Sequence, residues 1–168
     1  LLTSTVEELE VKNIEAGKTI LEIGPGAGRW TETLQEIAKR LIIVDLSDKC
    51  IELCKKRFSS CSNIEFFVND GNSLNFINNG EVDFIWSFDV FVHINAWDTE
   101  KYIIEFSRIL KKGGRGIVHH PKEGRLYDRE VDGWRSNTSA QLFSGMLERN
   151  GLTLVKQFDS WGDRGQFD

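Results

Sequence analysis

The chain has 168 residues, 40% hydrophobic and 28% charged, with 21 basic against 26 acidic side chains and a net charge of −5. That length suits one domain with a sizeable core, and the composition excludes a disordered chain. The acidic balance argues against a general nucleic-acid binder, and no apolar run reaches membrane-spanning length or resembles a signal peptide.

Apolar runs of strand length alternate with amphipathic stretches throughout. Residues 18–23 read as a first strand, which runs into Gly24-Pro25-Gly26-Ala27-Gly28 and opens a helix over 29–38. Residues 41–45, Leu-Ile-Ile-Val-Asp, form a second strand, and Ser47 stands at the N-cap of a helix reaching about residue 58. Residues 64–69 are a third strand, followed by a turn or short helix over 73–76, and residues 82–87 a fourth strand. A helix over 98–110 places Tyr102, Ile103, Phe106, Ile109 and Leu110 on one face, with Gly113-Gly114 as its stop. Residues 115–119 read as the fifth strand, 137–149 as a helix ended by Gly151, and 152–158 as a sixth strand.

Continuous apolar strands alternating with helices predict a doubly wound α/β fold, a Rossmann-like parallel sheet flanked by helices on both faces. Lys55-Lys56-Arg57 and Lys111-Lys112 read as solvated helix ends. Cys50, Cys54 and Cys61 have neither a CxxC spacing nor histidine partners, so they read as reduced structural thiols of a cytoplasmic protein, with no metal expected. The start at Leu1 and the lack of a seventh strand after 152–158 give the expectation of a single domain over 1–168 taken from a longer chain.

In such sheets ligands bind beyond the carboxyl ends of the strands. Bare backbone at Gly24, Gly26 and Gly28 can approach a nucleotide-like ligand closely. A nucleoside triphosphate loop needs Gly-Lys-Ser/Thr, and here Gly28 is followed by Arg29-Trp30. A dinucleotide loop wants a small residue where Arg29 stands and seldom has an acid at the Glu22 position. S-adenosylmethionine presents an ammonium group, a ribose diol and an adenine. Glu22 suits the first, Asp45 at the end of the second strand the second, and Asp70 after the third strand the third.

This constellation resembles the class I S-adenosylmethionine-dependent methyltransferases of the small-molecule branch, over roughly residues 15–160. Glu22, Gly24, Gly26 and Gly28 match that family's first motif, Asp45 with Leu46 beside it its ribose acid, and Asp70-Gly71-Asn72 its adenine-side motif. Ser87-Phe88-Asp89-Val90-Phe91 resembles the segment whose backbone lines the methionine moiety, and Leu110-Lys111-Lys112-Gly113-Gly114 the usual Leu-Lys-Pro-Gly-Gly turn, with Lys112 in place of Pro. The resemblance implies methyl transfer to a small-molecule acceptor, with oxygen preferred over nitrogen and a sugar as one candidate class.

A neutral hydroxyl or protonated amine acceptor needs a base, and His119-His120 follows the fifth strand. Successive strand residues point opposite ways, so one of the pair faces the acceptor; His120, nearer the loop, is favoured, with His119 second and His93 as a further candidate. Asp89 alone would make a poor magnesium site. Arg125, Tyr127, Arg129, Trp134 and Arg135 form an aromatic and basic connection that would suit an anionic acceptor. Two other readings stay open: a nicotinamide-dependent oxidoreductase, and a non-catalytic cofactor-binding domain of a larger protein.

Overall fold

The computed structural model describes residues 14–124 and 136–158. In chain order the elements are β1 (Thr19–Ile23), α1 (Thr31–Ile37), β2 (Arg40–Asp45), α2 (Asp48–Arg57), β3 (Ile64–Val68), β4 (Val82–Ser87), α3 (Ala96–Ile109), β5 (Leu110–Val118) and α4 (Ala140–Arg149). The five strands make one parallel sheet in the order β3-β2-β1-β4-β5. From β1 in mid-sheet the chain therefore winds outward through β2 and β3, and then returns to the other side of β1. Among the described residues no helix is long and apolar enough to cross a membrane.

The central strands lack polar alternation because both their faces are covered. Side-chain parity divides the interior in two. Leu21, Ile23, Ile42, Val44 and Ile85 pack with Tyr102, Ile103 and Phe106 of α3 and Phe143 and Met146 of α4. Ile20, Leu41, Ile43 and Trp86 point the other way, onto Leu34 of α1 and Ile51 and Cys54 of α2. Caps fix the helix starts: Ser47 Oγ accepts from Cys50 N at 3.3 Å, Asn95 Oδ1 from Asp98 N at 3.0 Å, and Ser139 Oγ from Leu142 N at 3.1 Å.

Three expectations need correcting. Helix α3 stops at Ile109, and Leu110 is already extended (φ −66°, ψ 135°), so residues 110–114 open β5, and the expected turn lies inside that strand as an irregular stretch around Gly113. Leu110 pairs with Val82, and Lys111 reaches Asp83 at 2.7 Å while Asp83 accepts from Thr19 N at 2.9 Å. Lys111 thus ties β5 to its neighbours. The helix over 137–149 begins only at Ala140 because Ser139 caps it. Residues 152–158 join no ladder among the described residues: the closing turn of α4 takes Leu152 N onto Leu147 O at 2.9 Å, and Leu154 and Val155 stand 39% and 81% exposed.

Candidate active site

Parallel register carries the candidate residues to one edge of the sheet. Ile23 lies level with Val44 and Ser87, Asp45 with Val68, and Ser87 with Val118. Gly24 N donates to Val44 O at 2.8 Å, Asn69 N to Asp45 O at 3.1 Å, and His119 N to Ser87 O at 2.9 Å, which extends that common level into the loops. The glycine loop, Asp45, Asp70, Phe88 and His119 consequently share the carboxyl edge. The strand order reverses between β1 and β4, which is where such folds open a crevice.

The three loop glycines do different jobs. All have positive φ (71°, 55° and 85° for Gly24, Gly26 and Gly28). A Cβ on Gly24 would come 2.2 Å from Val90 Cγ2, and one on Gly28 would come 2.4 Å from Phe58 Cε2. A Cβ on Gly26 would meet nothing within 4 Å among the described residues. Gly24 and Gly28 are therefore demanded by packing within the protein, whereas Gly26 is the glycine that opens outward.

Glu22 is 1% exposed. Thr31 Oγ1 donates to its Oε2 at 2.6 Å, while Oε1 has no partner among the described residues. Burial pushes its pKa up to about 7, although Thr31 opposes the rise through both hydroxyl and amide, and Asp45 adds to it. An unpartnered, buried carboxylate oxygen next to the loop is a place that a cationic group would satisfy.

Asp45 accepts from Ser47 N at 2.8 Å, opening α2, and stays half-buried at the edge. Asp70 is exposed; its Oδ1 accepts from Asn72 N at 3.2 Å and Ser73 N at 2.8 Å, and these bonds hold its carboxyl below the usual range. Both acids form a local turn, and a carboxylate has enough lone pairs to serve a ligand as well. Leu46 is 66% exposed and lies over Gly71 (φ 91°), with its Cδ1 3.5 Å from where a Cβ would sit. Asn72 is committed to α3, its Nδ2 donating to Asp98 Oδ1 at 2.9 Å.

After β4, the Ser87 hydroxyl turns inward and donates to Ile23 O at 3.1 Å, so only its backbone is at the edge. Phe88 sits among aromatic rings, 5.2 Å from Trp30 and 4.8 Å from the His119 ring. Asp89, which the sequence places in the segment resembling the methionine-lining one and rates as a poor magnesium ligand, is the one non-glycine with positive φ among the described residues (60°). Asp tolerates that conformation better than most residues. His119 Nδ1 lies 2.8 Å from Asp89 Oδ1, and Asp89 N donates to the same nitrogen at 3.3 Å, so the Asp89 carboxylate and backbone together fix the ring. That bond is the main reason the Asp89 carboxyl is held below its ordinary range, with Arg29 and His93 adding charge.

The two histidines face opposite ways. His119 is 6% exposed on the Phe88–Asp89 side, whereas the His120 ring stacks on Phe143 at 4.2 Å and its Nδ1 lies 2.9 Å from Pro121 O. Burial lowers the His120 pKa. His93 is exposed. Arg125, Tyr127, Arg129, Trp134 and Arg135 lie outside the described residues. Among the described residues no three His, Cys, Asp or Glu side chains converge as a metal site. Of the three thiols, Cys54 is buried; its Sγ lies 3.4 Å from Gly26 O, and burial pushes its pKa up to about 11.

A family model described as a methyltransferase domain matches residues 20–114, more than half the chain and the segment that carries this edge. The chain belongs to this family. The methyltransferase domain is 27% identical over 162 residues to phosphoethanolamine N-methyltransferase 1 of Caenorhabditis elegans, which covers 87% of this chain but only 34% of that enzyme. Among solved structures, a putative sarcosine dimethylglycine methyltransferase from Galdieria sulphuraria superposes with a TM-score of 0.76 at 17% identity, covering 92% of this chain and 61% of that one. Haemonchus contortus phosphoethanolamine N-methyltransferase 1, solved with phosphoethanolamine and S-adenosylhomocysteine, gives 0.59 at 23% identity, covering 70% of this chain and 27% of that one. These likenesses establish the class I methyltransferase fold. Its methyl donor is S-adenosylmethionine, and the donor set fits that cofactor: an open Gly26, a carboxylate at the end of β2, and an unsatisfied oxygen on buried Glu22.

Proposed function

We propose that this domain catalyses methyl transfer from S-adenosylmethionine to a nitrogen or oxygen of a small polar molecule. The observation that carries the proposal is the open Gly26 loop at the β1–β4 switch point, level with Asp45 and backed by the unpartnered Glu22 oxygen. Gly26 would admit the cofactor against the backbone, Asp45 would accept its ribose hydroxyls, Asp70 with Leu46 and Gly71 would border its adenine, and Glu22 would favour its ammonium end. The backbone after Ser87 and the Phe88 ring would line the methionine side.

When bound, the cofactor supplies an electrophilic methyl group on a sulfonium. The chain must align the acceptor, exclude water and remove a proton. Of the two histidines after β5, His119 is the better base. With Nδ1 held against the Asp89 carboxylate, Nε2 would be the atom that takes the proton, the arrangement in which a carboxylate steers a catalytic imidazole. His120 packs on α4 and would serve as structural support. An oxygen acceptor, a sugar included, keeps its place beside nitrogen; the nitrogen alternative draws support from the N-methyltransferase names of the relatives.

Calorimetric titration with S-adenosylhomocysteine and with NADH, on wild type and Asp45→Ala, tests the cofactor assignment. Saturable binding of S-adenosylhomocysteine that Asp45→Ala weakens at least tenfold is expected. Binding of NADH in its place would return the domain to the oxidoreductases. Methyl transfer from radiolabelled cofactor to amine and hydroxyl acceptors then separates nitrogen from oxygen.

A further inference from the structure

Three consecutive carbonyls of the glycine loop are held by side chains of α2, a helix that neither the loop motif nor the acids draw attention to. Cys54 Sγ reaches Gly26 O at 3.4 Å, and one nitrogen of Arg57, Nη1, donates to both Ala27 O at 2.9 Å and Gly28 O at 3.0 Å. Residues 54 and 57 are three apart, so they project from the same face of the helix. The other guanidinium nitrogen, Nη2, donates to Glu32 Oε2 of α1 at 2.6 Å. The Arg57 guanidinium carbon also stands 5.1 Å from the centroid of the Phe58 ring, the ring that leaves no space for a Cβ on Gly28.

We infer that Arg57, assisted by Cys54, is a positioning residue that sets the cofactor loop in its binding shape. Peptide groups are trans, so fixing the carbonyls of residues 26 and 28 toward α2 turns the N–H groups of Ala27 and Arg29 away from it. Gly28 N is already used within the loop, donating to Pro25 O at 2.8 Å. A loop with three glycines has a large conformational entropy to lose, and a helix that grips its carbonyls removes much of that loss before any ligand arrives. The same helix begins at Ser47, whose amide binds Asp45. Helix α2 therefore spans from the ribose acid at its start to the glycine loop at its end, and holds the two at a fixed separation. The Arg57–Glu32 ion pair adds little by itself, since its side chains are 41% and 64% exposed. The charge-assisted bonds to the carbonyls do the positioning. Lysine cannot replace them, because a point charge lacks the fork that reaches two carbonyls and a carboxylate together.

This inference rests on the cofactor binding at the loop as proposed, and the test separates the two. S-adenosylhomocysteine is titrated calorimetrically into wild type, Arg57→Met, Arg57→Lys and Cys54→Ala, alongside thermal melts and amide hydrogen exchange of residues 26–29 without ligand. Expected are about tenfold weaker binding for Arg57→Met, a smaller loss for Arg57→Lys, a few-fold loss for Cys54→Ala, and faster exchange in the loop while the core amides stay protected. If Arg57→Met binds with wild-type affinity, or its loop exchange speeds up only as much as the core's, Arg57 is structural and the inference fails. If wild type itself does not bind S-adenosylhomocysteine, the cofactor proposal fails and takes the inference with it.

Discussion

Glu22→Gln isolates the consequence of keeping a carboxyl group inside the core. In the unfolded chain this group loses its proton near its ordinary value of 4.5, and in the folded protein near 7. Between those values the folded state binds more protons than the unfolded one. Stability contributed by this group therefore falls as pH rises through that window and is level above it. At 1.36 kcal/mol per pH unit, the interval from 4.5 to about 7 corresponds to about 3 kcal/mol. Glutamine keeps the shape and an acceptor for Thr31 but does not titrate. Its unpartnered amide adds a pH-independent offset, so the slope is the quantity to read. Urea unfolding of both proteins at about pH 5, 6, 7 and 8, followed by the fluorescence of the buried Trp30 and Trp86, gives the difference directly. Carboxyls such as Asp98 and Glu105, whose pKa values are lowered, cancel in the subtraction. The variant should gain up to about 3 kcal/mol on wild type from pH 5 to pH 8. A difference that is constant over this range would refute the reasoning, because it would mean that Glu22 titrates alike in both states.

Gly24→Ala and Gly26→Ala should part company. The first meets Val90 at 2.2 Å and should cost about 2–4 kcal/mol in urea unfolding, overpacking added to backbone strain, whereas the second meets no atom and should cost only about 1 kcal/mol while weakening S-adenosylhomocysteine binding. Asn95→Ala removes the cap of α3 and should destabilise by about 1 kcal/mol in the same assay.

Most of the sheet was legible because buried parallel strands announce themselves as unbroken apolar runs: Leu41 to Val44 are all fully buried. The position of the glycine loop, Asp45 and Asp70 at the carboxyl edge was legible for a similar reason, since each stands at or just after the end of such a run. What escaped depended on contacts between distant segments. No local pattern says that Leu110 leaves the helix to pair with Val82, and the expected Lys-Gly-Gly stop points to a boundary further along. Residues 152–158 have strand-like composition, yet a strand exists only where an edge accepts it. The bond between Asp89 and His119 joins residues 30 apart, and the grip of Arg57 on the loop joins residues up to 30 apart. For these the only sequence signals were a carboxylate in a loop and a basic helix end, both common on any solvated surface. The different partners of His119 and His120, Asp89 for one and Phe143 for the other, likewise come from distant segments.

The irregular start of β5 has a bearing on how the site tolerates change in length. Between the pairs Val82–Leu110 and Phe84–Arg115, β4 advances by two residues while β5 advances by five, so three residues are looped out, around Gly113 with its φ of 80°. That slack can absorb a residue gained or lost between Leu110 and Arg115 without disturbing the rest of the strand. Past Arg115 the ladder runs in strict step, with Gly116 pressed against Ile85 at 3.2 Å from its would-be Cβ. One residue inserted or deleted there would rotate the remainder of the strand by half a turn and exchange the two histidines, sending His119 toward Phe143 and His120 toward Asp89. The bulge thus acts as an expansion joint, and the four residues beyond it, 116–119, are the reading frame that decides which imidazole meets Asp89.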